Sequence, residues 1–324
     1  MSLRLESIAV PAPSTPPKRR DVHLGDRVFF YFLRGMAISV LVLIGAIVLQ
    51  LVNLSIPALR SLGLGFLTST DWNPVEGAFG AASFIYGTIV SSLLALLIAV
   101  PVSVGAALFL NELSNDRLAK PLAFLIEMLA AIPSVVYGLW GIFVLSPWLR
   151  ESVQPWLVSH FGYIPLFAGP PFGVGMLCAG IVLAIMITPT ISAICREVFR
   201  AVPLSHREAA LALGATRWEM IYVSVLRSST PGMLGGIMLG LGRALGETMA
   251  VTMVIGNRAQ ISSSLFAPAQ TMASIIANEY AEAQGDAHLS ALAAIGLALF
   301  AVSLVINSIA RLIVWRVARQ GASR

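Results

Sequence analysis

The stretch GAFGAASFIYGTIVSSLLALLIAVPVSVGAALFLN, residues 77–111, contains no Asp, Glu, Lys or Arg. Crossing the hydrocarbon core of a bilayer takes about 20 helical residues, and a charge at its centre costs at least about 2.5 kcal/mol. So long an uncharged run predicts a membrane span with an interfacial turn at its start. Backbone groups in lipid must be satisfied within the segment, which makes the span a helix.

Five further apolar runs flank this one, at about 29–53, 121–149, 172–195, 230–256 and 289–313. The expected fold class is all-α, a polytopic membrane protein with six transmembrane helices. Composition agrees: 57% of the 324 residues are apolar and 11% are charged, against about 25% charged in ordinary soluble domains. A water-soluble globule is excluded. The net charge of +5 does not signal nucleic acid, because the basic residues recur in clusters between apolar runs rather than on one patch. Placing the N-terminus in the cytoplasm leaves Arg60, Arg150 and Arg258 outside and 17 of the 21 Lys and Arg inside, which predicts that both termini are cytoplasmic.

Residues 1–28 form a polar, Pro-rich tail (Pro11, Pro13, Pro16, Pro17, then Lys18, Arg19 and Arg20) with no cleavage site of small residues, so the first apolar run is expected to be a retained anchor. Residues 316–324 form a basic cytoplasmic tail. Cys178 and Cys195 share one run; on one helix they stand about 26 Å apart, beyond the roughly 7 Å that a disulfide spans. Neither a disulfide nor a metal site is expected, and His23, His160, His206 and His288 have no partner at ligand spacing. Pro101, Pro133 and Pro189 interrupt three spans and are candidate kinks.

Two segments carry candidate chemistry. In the loop 196–227, Pro203 precedes Ser205, with Glu208 three residues further on, the pattern of a capping box. A short helix is expected from there to Gly214, a favoured C-cap residue, with helix resuming near Thr216 and Arg217. Ala209, Ala210 and Ala212 would give it a shallow surface for another protein. In the fifth run, Arg243 and Glu247 are four residues apart, and on a continuous helix they share a face with Gly232, Gly236 and Gly240. Glycines at this spacing let helix backbones approach closely, so the face is expected to point into protein or an aqueous path. A guanidinium held there by Glu247 would match the oxygens of a tetrahedral oxyanion as a fork. Glu127, one to two turns into the third run and near its inner boundary, is expected to snorkel to the interface. Tyr86, Tyr137 and Trp140 are expected in packing and interfacial belts.

Glu208-Ala209-Ala210 followed by Gly214 resembles the EAA loop of ABC importer permeases, although Ser224 and Arg227 stand where that pattern usually has Ile and Pro. The stretch 240–251, with segments at 61–69, 84–88, 131–141 and 255–257, resembles the PstC-type permeases of phosphate ABC importers over roughly residues 59–315. The resemblance implies a permease domain at 29–315 and a cytoplasmic coupling helix between spans four and five. It implies phosphate translocation by Arg243 and Glu247, and coupling to an ATPase through Glu208, Ala209, Ala210 and Gly214. The implied partners are an ATPase dimer, a second, PstA-like permease and an extracytoplasmic phosphate-binding protein, in the bacterial inner membrane. No cofactor is expected, and there is no G-x-x-x-x-G-K-[ST] segment in the chain, so ATP hydrolysis falls to another subunit. Charge logic leaves molybdate or sulfate open as cargo. A proton-driven secondary transporter with Glu247 as proton carrier is the rival class.

Overall fold

The computed structural model describes residues 24–322, so the N-terminal tail up to residue 23 lies outside the described residues. The chain divides into two compact units at residues 49 and 50. In the first, the opening turns of α1 (Leu24–Leu62) carry exposed apolar side chains such as Phe29, Leu41 and Leu43. Asp26 sits in the first turn, where the helix dipole favours an acid.

In the second unit, α1 is followed by a single turn, α2 (Gly65–Thr68), and a small antiparallel ribbon of β1 (Trp72–Asn73) and β2 (Ala78–Phe79). Trp72 pairs with Phe79 and Asn73 with Ala78, closed by a turn in which Gly77 has φ +70°. This ribbon precedes the second span, where a turn is expected, and it makes the fold mostly helical rather than purely so. Next come α3 (Ala82–Leu108), whose last turn continues as a wide π-helical segment Phe109–Leu113, α4 (Asp116–Ala131) and α5 (Ser134–Trp140). A helical path through α6 (Ser146–Trp148) reaches α7 (Gln154–Phe161). The remaining helices are α8 (Met176–Arg200), α9 (Leu204–Ala212), α10 (Arg217–Met220), α11 (Arg227–Gly246), α12 (Met249–Val254), α13 (Met272–Glu279) and α14 (Gly285–Ala322).

Four helical segments among the described residues are long and apolar enough to cross a membrane: Gly25–Leu62, Ala82–Leu113, Met176–Arg200 and Gly285–Arg316. The predicted third span is not one straight helix. It bends by 95° between Asp116–Ala131 and Ser134–Phe161, and counting this bent pair gives five. Pro133 explains the break: it has no amide hydrogen to donate and disfavours helix at Ile132, and both residues are extended, with ψ of 141° and 128°. Pro101 and Pro189, by contrast, lie inside unbroken α3 and α8. The predicted fifth span is also divided, into α11 and α12.

The core is built around α8, where Cys178, Val182, Ile187, Ile191, Cys195 and Phe199 are fully buried. Both cysteines are free. α3 lies along α8 through Ala95, Ala99, Ser103 and Ala107, small residues four apart, and Ser103 Oγ donates to the Thr188 carbonyl at 3.1 Å. A second cluster gathers Phe66, Phe79 and Phe84 with Met272, Ile275, Leu292 and Ile295. Beside it, Glu279 Oε2 accepts from Trp72 Nε1 at 2.9 Å and lies 2.9 Å from His288 Nε2. His288 is a buried residue in the first turn of α14.

Candidate functional site

α11 reaches Arg243 along a glycine seam. A Cβ on Gly232 would fall 2.5 Å from Val198 Cγ1, on Gly236 3.0 Å from Ile194 Cγ2, and on Gly240 2.7 Å from Ile191 Cδ1. Each glycine is thus a notch that receives one α8 side chain, the close backbone packing expected from the spacing. Beyond the last notch, Arg243 Nη1 donates to Thr190 Oγ1 of α8 at 3.3 Å. The Tyr137 hydroxyl of α5 donates to the Leu129 carbonyl at 2.7 Å across the α4–α5 break.

Arg243 and Glu247 do not share a helix face. α11 stops at Gly246, and Glu247 is extended, with φ −70° and ψ 126°. The ion pairs among the described residues do not include Arg243 with Glu247. Glu247 Oε1 instead accepts from the Ala250 amide at 3.3 Å, satisfying a donor left free at the start of α12. The i, i+4 rule holds only on continuous helix, and a glycine followed by an extended residue ends that continuity. The two charges therefore sit at facing helix ends: Arg243 in the last turn of α11, where a cation suits the dipole, and Glu247 ahead of α12, where an anion does. Arg243 is half-buried and holds one hydrogen bond among the described residues, so most of its fork of five donors is left for another oxygen-rich group.

The second candidate surface is α9. It starts at Leu204 behind Pro203, with no side-chain cap, so the box expected from Ser205 and Glu208 is absent. A capping box forms instead at Thr216 and Glu219, at the head of α10. α9 ends as expected at Gly214, whose φ of +86° is left-handed. The Gly214 amide donates to the Leu211 carbonyl at 3.0 Å and the Ala215 amide to the Ala210 carbonyl at 3.1 Å, a Schellman cap. Glu208 and Ala209 are exposed and Ala210 is half-buried against the core. Leu211, Leu213 and Trp218 extend this surface, Leu213 being 90% exposed. Ser224 Oγ, at the position that departs from the EAA pattern, donates to the His206 carbonyl at 3.1 Å and ties α9 to the chain entering α11.

Two ion pairs here escaped the sequence reading. Glu127 does not simply snorkel: it pairs with Arg196, whose side chain is 9% exposed. Glu112 Oε1 lies 2.8 Å from Arg207 Nη2, with side chains 7% and 16% exposed. The partners are 69 and 95 residues apart, so no local spacing announces them.

This is the architecture of a membrane transport component: a helical core of small residues, a broken helix with an arginine before the break and a glutamate after it, and an exposed short helix. The profile of the family described as binding-protein-dependent transport system inner membrane component matches residues 99–319, and the chain belongs to that family. It is a transport component rather than an enzyme, and a multi-pass membrane protein. The chain is 47% identical to the phosphate transport system permease protein PstC of Mesorhizobium japonicum, over 99% of this chain and all of that one. It is also 47% identical to the PstC of Pasteurella multocida, over 93% and 95%. Among solved structures, a bacterial alginate ABC transporter in complex with its pentasaccharide-bound periplasmic protein aligns at a TM-score of 0.62 and 17% identity, covering 92% of this chain and 98% of the matched one. That likeness concerns the fold.

Proposed function

We propose that this chain is the permease subunit of an ATP-driven importer that carries inorganic phosphate across the bacterial inner membrane. The observation that carries the proposal is the end-to-end similarity to PstC permeases, joined to an arginine with a largely unused donor fork at a break between helices. Six crossings follow if α4–α7 and α11–α12 each count as one, with both termini cytoplasmic. Partners are an ATPase dimer docking on α9, a second, PstA-like permease and an extracytoplasmic phosphate-binding protein.

In the cycle, closure of the ATPase pair moves α9, through Glu208, Ala209, Ala210 and Gly214. The helices beyond it then open toward the outside, and phosphate meets Arg243. The guanidinium binds the dianion by charge and paired hydrogen bonds. Glu247, across the break, tempers that attraction, because a site that binds too tightly does not release.

The test is uptake of labelled phosphate by the reconstituted complex. Arg243→Lys keeps the charge and loses the fork, and uptake is expected to fall about tenfold or more; Arg243→Ala is expected to fall further, on the scale of about 1.5–3 kcal/mol for a charged hydrogen bond. Unchanged uptake in both variants would remove Arg243 from the pathway.

A further inference from the structure

Arg207, one position before Glu208, turns away from the exposed side of α9. Nη1 donates to the Val202 carbonyl at 2.7 Å, and Nη2 donates to the Phe199 carbonyl and to Glu112 Oε1, both at 2.8 Å. Phe199 belongs to the last turn of α8, Val202 lies just past it, and Glu112 is in the π-helical end of α3. One side chain thus joins α9 to the ends of two core helices. The carbonyls it takes are those a helix C-terminus leaves free, and the cation suits the negative end of the α8 dipole. Glu112 Oε1 is fixed in turn by Asn111 Nδ2 at 2.7 Å.

We propose that Arg207 and Glu112 form the strut through which displacement of α9 is delivered to α3 and α8 during transport. The proposal rests on α9 being the docking helix. Among the described residues, the side-chain hydrogen bond that holds α9 to the rest of the chain, apart from this guanidinium, is that of Ser224 to His206, and most of the helix is exposed. A helix so loosely seated would move without pulling on the core. The planar fork resists this because it holds three acceptors on two elements at once, which a lysine ammonium does not reproduce. The site is nearly dry, so water competes weakly for the pair. α3 and α8 are packed along their length, and α8 carries Thr190, the hydrogen-bond partner of Arg243. Motion delivered at Arg207 therefore reaches the candidate site along one rigid helix. Arg207 and Glu112 are positioning residues, touching neither cargo nor nucleotide.

The experiment uses the full complex in liposomes with its phosphate-loaded binding protein, and reads phosphate imported per ATP hydrolysed. Glu112→Gln, Arg207→Gln, Arg207→Lys and the Glu112→Gln/Arg207→Gln double variant are expected to co-purify with the ATPase as the parent does. Phosphate per ATP is expected to fall about tenfold in each Gln single variant, the scale of coupling within a packed network. The double variant is expected to be no worse than the poorer single, and Arg207→Lys to recover part of the loss.

Parental phosphate per ATP in Glu112→Gln, multiplied losses in the double variant, or loss of co-purification in Glu112→Gln would each overturn the strut. Should Arg207→Gln fail to assemble, Glu112→Gln decides, since it leaves both carbonyl bonds in place. Glu208→Arg separates the two ideas: it is expected to abolish stimulation of ATP hydrolysis by the binding protein. Full stimulation there would overturn docking on α9, whereas a Glu208 effect beside silent Glu112 and Arg207 variants would overturn the strut alone.

Discussion

Glu247 shows what a single carboxylate does when the helix beneath it ends. Its bond to the Ala250 amide is a cap, and losing a cap costs about 1 kcal/mol. Glu247→Ala is expected to lower the melting temperature of the purified complex and to loosen α12, read as faster amide exchange at Ala250. Glu247→Gln, which keeps an acceptor, is expected to hold that protection while altering phosphate release. Glu219 supplies a pH-dependent counterpart. The Thr216 backbone amide, then its hydroxyl, hold the Glu219 carboxyl below the usual carboxylate range, against desolvation. A depressed carboxylate stabilises fully above its unfolded-state range and loses that contribution as pH falls through its folded one. The head of α10 is therefore expected to be protected from exchange at neutral pH and to loosen only in strong acid, and Thr216→Ala to move that loosening upward. At this scale the candidate site was half legible. A charged pair inside an apolar run stood out at once, but its geometry did not, because the i, i+4 rule assumes a helix that Gly246 and the extended Glu247 interrupt. The Arg207–Glu112 and Arg196–Glu127 pairs join distant parts of the chain, so only the folded molecule brings them together.

Among the elements, α3 offers the sharpest contrast between two glycines. A Cβ on Gly87 would fall 2.1 Å from the Gln270 carbonyl oxygen, whereas one on Gly105 meets nothing within 4 Å. Gly87→Ala must push backbone against backbone and is expected to destabilise by about 1–3 kcal/mol. Gly105→Ala removes a flexible residue from a helix interior and is expected to stabilise by about 0.5–1 kcal/mol. Paired thermal unfolding in detergent measures both, and similar shifts for the two would contradict the packing described here. Helix placement was legible where apolar runs were long and uninterrupted, as in α3, α8 and α14. It failed at 121–149 and 230–256. Hydropathy reports a need for burial and is blind to direction, so it did not register the 95° bend at Pro133 or the stop at Gly246. Proline alone did not decide the matter either, since Pro101 and Pro189 sit in continuous helices.

For the molecule as a whole, the asymmetry of Lys and Arg predicts a cytoplasmic C-terminus. A fluorescent protein fused there is expected to be bright, and alkaline phosphatase fused at the same point to be inactive, because that enzyme matures only outside; the opposite pattern would invert the topology. Family membership was legible from Glu208-Ala209-Ala210 with Gly214 and from the 240–251 stretch, because those motifs lie on short segments whose meaning needs no tertiary contact. The seam between α11 and α8 was legible as a face but not as a mechanism. Val198, Ile194 and Ile191 enter notches at Gly232, Gly236 and Gly240, and the notches repeat every four residues. A slide of about 6 Å, four residues of helical rise, would bring Val198 opposite Gly236 and Ile194 toward Gly240, like a bolt moving between detents. Any relative travel of these two helices would then favour steps of that length over a continuous glide.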